Sequence, residues 1–136
     1  MGRSWLVIAC TILVGVGTIS CGPSGTNVAS SSGLPRSDTF ADLTTDQVGV
    51  LCDWINERQG GYGRNVTCSD GSKQNTDASK ADCVGAAPGV ASACPTLTVG
   101  NVEDCTNAVL TDLCSLPNQT ACANLDACLA SATAAP

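Results

Sequence analysis

Histidine is absent from this 136-residue chain, and six lysines and arginines face twelve aspartates and glutamates. Without an imidazole, Ser-His-Asp and Cys-His nucleophile systems and histidine-ligated metals are excluded. No C-x-x-C occurs, although there are ten cysteines. A thioredoxin-like redox site and a zinc ribbon both need such close thiol pairs. Neither a P-loop nor a dinucleotide fingerprint is present. The sequence therefore implies no cofactor. Aromatics make up 3% of the chain, and only Phe40, Trp54 and Tyr62 follow the N-terminal apolar run. A small domain with so few large side chains is marginal on apolar burial alone.

What the chain does have is cysteine. Cys10 lies inside an apolar N-terminal run and Cys21 at its end, and Cys52, Cys68, Cys83, Cys94, Cys105, Cys114, Cys122 and Cys128 are spread over the remainder. Residues 1–20 read as an export signal: Arg3 supplies the positive start, Trp5 to Val16 the apolar core, and small residues follow up to Ser20. The run is too short for a stable transmembrane helix.

Gly17-Thr18-Ile19-Ser20-Cys21-Gly22 resembles a bacterial lipobox, with Thr18 where Leu is usual. Ordinary cleavage at a small-x-small site is the competing reading. Parity favours lipid: with Cys21 acylated, eight cysteines remain and pair completely, whereas otherwise one is orphaned. A triacylated Cys21 would exceed the two-signal threshold for stable anchoring. Gly22 lacks the Asp of inner-membrane retention, so an outer-membrane address, facing the periplasm or the cell surface, is expected.

Residues 21–40 read as a lipidated flexible tether, because Gly22 to about Thr39 is rich in Gly, Ser, Thr, Asn and Pro. Residues 41–131 form one small domain, and 132–136 a disordered tail. The domain's fold class is mainly α: about four short helices, with a small β-hairpin between helices 1 and 2, stapled by disulfides. Leu43-Thr44-Thr45-Asp46-Gln47-Val48 is a capping-box start, and Val48, Leu51, Cys52 and Ile55 fall on one face. Gly60-Gly61 ends this helix.

An Asp70-Gly71 turn suggests the hairpin. Thr76-Asp77 caps a second helix through Cys83 to about Ala86, and Pro88 to Pro95 is irregular. Leu97-Thr98-Val99-Gly100-Asn101-Val102 repeats the first start and opens a helix carrying Cys105, Val109, Leu113 and Cys114, broken by Pro117 and Asn118. A last helix carries Cys122, Leu125, Cys128 and Leu129.

Eight cysteines allow 105 connectivities. Cys105 and Cys114 on one helix would stand about 13 Å apart, beyond bonding reach. A nested hairpin favours Cys114–Cys122 and Cys105–Cys128, and by analogy Cys52–Cys94 and Cys68–Cys83.

The acidic pairs read as structural. Asp53 and Glu57 occupy an exposed helix face near Arg58, and Glu103-Asp104 sits in a first turn where the helix dipole favours negative charge. Removing the first twenty residues leaves five cations against twelve carboxylates, which disfavours nucleic acid as a partner. Cys52-Asp53-Trp54 followed by Gly60-Gly61-Tyr62-Gly63 is the local feature with binding potential. Either the loop folds back to cover Trp54, the favoured reading, or Trp54 and Tyr62 are presented to a glycan or peptide.

With these motifs and the downstream cysteines, the chain resembles a group of small cysteine-rich lipoproteins of myxobacteria and their relatives, over roughly Thr44 to Leu129 plus the export segment. The group has no assigned activity, so the resemblance implies location and fold but no functional residue. The expected function is a non-enzymatic exported lipoprotein, a binding or envelope-structural module. It would attach to the membrane through its anchor, with an envelope protein or glycan as partner. The alternative is a small secreted hydrolase, inhibitor or effector.

Overall fold

The computed structural model describes residues 29–133, so the export segment, Cys10 and Cys21, and residues 134–136 lie outside the described residues. Four α-helices and one hairpin follow in chain order. Helix α1 spans Thr45–Arg58. Thr44 caps it through the Gln47 N–H, and the Gln47 side chain returns to the Thr44 N–H, which completes the capping box. Its inner face buries Val48, Leu51, Cys52 and Trp54. Gly60 and Gly61, at φ 94° and 105°, turn the chain away after the Gln59 cap.

Strand β1 (Asn65–Thr67) pairs antiparallel with β2 (Lys73–Asn75), Val66 opposite Gln74. Gly71 takes the left-handed position in the connecting turn, and Asp70 accepts the Ser72 N–H.

Helix α2 spans Lys80–Ala93 and differs from expectation at both ends. Ser79, not Thr76-Asp77, caps it. The Thr76 hydroxyl is instead buried in the preceding loop, donating to the Gly61 carbonyl and accepting the Arg64 N–H. The helix runs through Pro88 rather than stopping at Ala86. Proline removes the N–H that the Val84 carbonyl would accept, a cost tertiary packing must offset. Ala87 is buried, Val90 packs on the core, and disulfides grip the helix near each end.

Helix α3 spans Val99–Val109, with Thr98 and Asn101 forming the second capping box. It ends at Leu110 and does not continue to Cys114. Two 3₁₀ turns, Leu113–Asn118 and Thr120–Cys122, lead into α4 (Ala123–Thr133).

The disulfides correct all four expected pairs. The bonds are Cys52–Cys83, Cys68–Cys114, Cys94–Cys128 and Cys105–Cys122. A nested scheme assumed that Cys105 and Cys114 share a helix. Because α3 stops at Val109, Cys114 swings out to the hairpin. The Thr120–Cys122 turn folds back onto α3, so Cys122 meets Cys105 instead. Each bond joins different elements: α1 to α2, hairpin to 3₁₀ turn, α2 to α4, and α3 to the second 3₁₀ turn. Cys52, Cys94, Cys105 and Cys122 are themselves core residues, packed with Val48, Leu51, Trp54, Val102 and Val109.

Residues 29–40, expected as part of a flexible tether, are held by the body of the domain. From Ala29 onward the chain is ordered as a strap against α3. Asn107 donates to the Ser30 carbonyl, Thr39 bridges Thr98, and the Phe40 N–H donates to the Leu97 carbonyl. The strap thus runs antiparallel to α3, from its last turn to its first. Two strap carbonyls accept from otherwise orphaned N–H groups of α3's first turn: Asp38 from Val99 and Arg36 from Gly100. A β-carbon at Gly100 would lie 3.0 Å from the Arg36 carbonyl oxygen, so the close approach needs glycine.

Two predictions follow from this architecture. Each closed loop, of 17 to 46 residues, contributes about 3–4 kcal/mol in the chain-entropy account; full reduction at 25 °C is therefore expected to abolish the helical circular dichroism signal. Leu110 sits at φ 48°, ψ −128°, a corner glycine occupies freely and a bulky residue does not. Relief of that strain should outweigh glycine's extra chain entropy, so Leu110→Gly is expected to stabilise the domain by about 1 kcal/mol in urea denaturation.

Candidate functional site

The most elaborated polar constellation joins the strap to α3. Glu103 is 0% exposed, on the α3 face that the strap covers. Its Oε1 accepts from the Ser32 N–H at 2.6 Å, the Ser32 hydroxyl at 2.8 Å and the Ser31 hydroxyl at 3.0 Å. Its Oε2 accepts from Arg36 at 2.8 Å, and the other Arg36 nitrogen reaches Asp104 at 2.7 Å. Burial works to raise the Glu103 pKa. The Ser32, Ser31 and Arg36 donors outweigh it and hold the carboxyl below its ordinary 4.5. Both oxygens are thus engaged inside the protein. This carboxylate is a receptor for the strap, with no open side for substrate chemistry.

The strap also engages α1. Trp54 is 7% exposed and donates its indole N–H to the Ala29 carbonyl at 2.7 Å. Arg58 donates to the Asn107 side chain, which in turn holds Ser30. The strap therefore begins in the notch between the C-terminal halves of α1 and α3.

A second cluster lies on the α1–α2 surface. Asp53 accepts from Lys80 at 2.6 Å and from the Tyr62 hydroxyl at 3.0 Å. Lys80 is the main reason the Asp53 pKa is lowered. Burial, reinforced by Asp53, pushes the Tyr62 hydroxyl up to about 12. Asp53 and Lys80 are each about half exposed, so the pair is a weak tie across the Cys52–Cys83 staple.

The structure places the sequence candidates differently from the alternative of an exposed aromatic pair. The loop after α1 does fold back, but Tyr62 bonds Asp53, while Trp54 is a core residue under the strap. Trp54 is not presented to solvent. Two apolar concavities are open. One, of ≈ 340 Å³, lies beside Phe40, Leu43, Val48, Val84, Ala87 and Pro88. The other, of ≈ 240 Å³, runs under α4 beside Ile55, Val90, Leu125 and Leu129. Among the described residues no three Cys, Asp or Glu side chains converge as a metal site. Sequence reasoning missed the strap because its donors are serines in a polar stretch. The one local hint is glycine at position 100, in the second position of a helix.

Glu103→Gln is expected to destabilise the domain by about 3 kcal/mol near pH 7, because it leaves Arg36 and the serine donors mismatched around a buried site. Arg36→Ala removes a half-exposed guanidinium and should cost less than Glu103→Gln, because the serine donors stay on the buried carboxylate. Since the folded-state pKa of Glu103 is depressed, its contribution is full above the unfolded value and drains as pH falls through the folded value. Urea titrations from pH 7 to pH 2 should therefore show an acid-side loss of stability that is smaller in Glu103→Gln. No protein-family model, curated protein or solved structure matches the chain.

Proposed function

We propose that this chain is an exported lipoprotein, acylated at Cys21, whose domain acts without catalysis as a binding or structural module of the cell envelope. The observation that carries the reading is the closed sulfur inventory. All eight cysteines from Cys52 to Cys128 pair with one another inside the domain. Bonds of this number belong to an oxidising, extracytoplasmic setting. No helix among the described residues is long and apolar enough to cross a membrane.

The scaffold makes no demand on Cys21, so its thiol is available for acylation at the end of an export-like segment. Two acyl chains on one sulfur and a third on the amine give durable attachment without a spanning helix. Two local features support the non-enzymatic reading. Glu103 is saturated by the strap, and Asp53 is tied to Lys80 and Tyr62. The apolar concavities beside Phe40 and under α4 are the surfaces suited to a partner.

Expressed with its export machinery, the protein is expected in the membrane fraction with an intact mass that includes three acyl chains on Cys21. Cys21→Ser should shift it to the soluble fraction with its four disulfides intact. Full-length protein without the acyl increment would overturn the anchor. A hydrolytic activity lost on Asp53→Asn would overturn the non-enzymatic reading.

A further inference from the structure

We propose that the edge formed by the C-terminal ends of α1 and α3, with Leu110 at its tip, rests against the lipid bilayer that holds the anchor. The proposal deepens the reading of Cys21 as the acylated residue and rests on it. Three observations converge on this edge. The first is chain geometry. Cys21 precedes Ala29 by eight residues, a length that spans at most about 28 Å however it is arranged. Ala29 is fastened to Trp54, and Ser30 to Asn107, so the link of eight residues from Cys21 joins the described part of the domain at this edge.

The second is Leu110. It lies three residues beyond Asn107, about one helical turn from the strap's attachment. Its side chain is 39% exposed although its backbone occupies a corner that favours glycine. The turn ends α3, but the side chain it holds outward gains little from burial in the fold. An acyl–headgroup boundary gives that side chain an apolar environment.

The third is charge. Arg64 donates to the Thr111 carbonyl beside Leu110 and to the Gln59 carbonyl at the end of α1. Arg58 stands in the same notch, donating to Asn107. Two of the five described cations thus lie at this edge. Of the other cations, Arg36 pairs with Glu103 and Asp104, and Lys80 with Asp53. A guanidinium beside Leu110 favours contact with a bilayer that bears anionic lipid.

One leucine binds a bilayer weakly on its own. A short tether raises its effective concentration at the surface, so a weak contact suffices to fix orientation. The docked pose turns the groove beside Phe40 and Val48 outward, since these residues flank the opposite end of α1.

The test is hydrogen–deuterium exchange on the acylated full-length protein in vesicles of zwitterionic lipid with a minor anionic fraction, compared with soluble Cys21→Ser protein. Amides from Val109 to Asp112 should exchange about tenfold more slowly in the vesicle-bound form. Leu110→Gly, whose fold is checked by its own denaturation curve, should remove that protection, while Val50→Ala, another exposed apolar position, should keep it. A confirmed acyl mass with no protection at residues 109–112 would overturn the docked edge and leave the anchor standing. A missing acyl mass would overturn both. Protection that survives Leu110→Gly would overturn the role given to that side chain.

Discussion

The Cys105–Cys122 bond joins α3 to the turn that launches α4, and Cys94–Cys128 joins α4 to the end of α2. Without these two bonds, α4 would have to hold its place through Leu125 and a few half-buried neighbours. The same dependence holds at the other side, where Cys68–Cys114 supports a hairpin whose strands are three residues each. Two-stranded hairpins that short are marginal in water. Cross-linking lowers the entropy of the unfolded chain and thereby offsets a core with one tryptophan and one phenylalanine among its residues. The half-cystines do double service, since four of them are also among the most buried side chains.

The strap depends on that cross-linked frame. It supplies carbonyls to the first turn of α3, donors to Glu103 and a carbonyl to the Trp54 indole. Each side satisfies polar groups that the other would leave buried and unpaired. A buried carboxylate in an apolar core is costly, and here its charge is compensated by serine donors and one arginine. The strap is polar in composition and nonetheless ordered, because its hydrogen bonds are made to fixed partners.

This arrangement shapes what the domain can do. The acidic residues that look reactive in a bare sequence are latches between elements. The apolar concavities stay open at the surface.

The local signals were legible. Both capping boxes, at Thr44 and Thr98, stand where the T-x-x-[QN] pattern puts them, because the interaction spans only three residues. The Asp70-Gly71 turn and the apolar stripe of α1 were legible for the same reason. The extent of α2 through Pro88 was not, since packing and staples offset a local penalty that sequence alone registers. The site was less legible still. Glu103 read as a first-turn acid, and nothing in Ser31, Ser32 and Arg36 announces that they converge on it from about seventy residues away. By itself, the sequence determined a cysteine-stapled helical domain without histidine chemistry, for composition and short-range periodicity act within a few residues. Only the tertiary structure decided which sulfurs meet, which acid is buried and where the strap begins. Those depend on contacts across the whole chain, and the turn at Leu110, one residue after α3 ends, redirects Cys114 and with it the disulfide pattern.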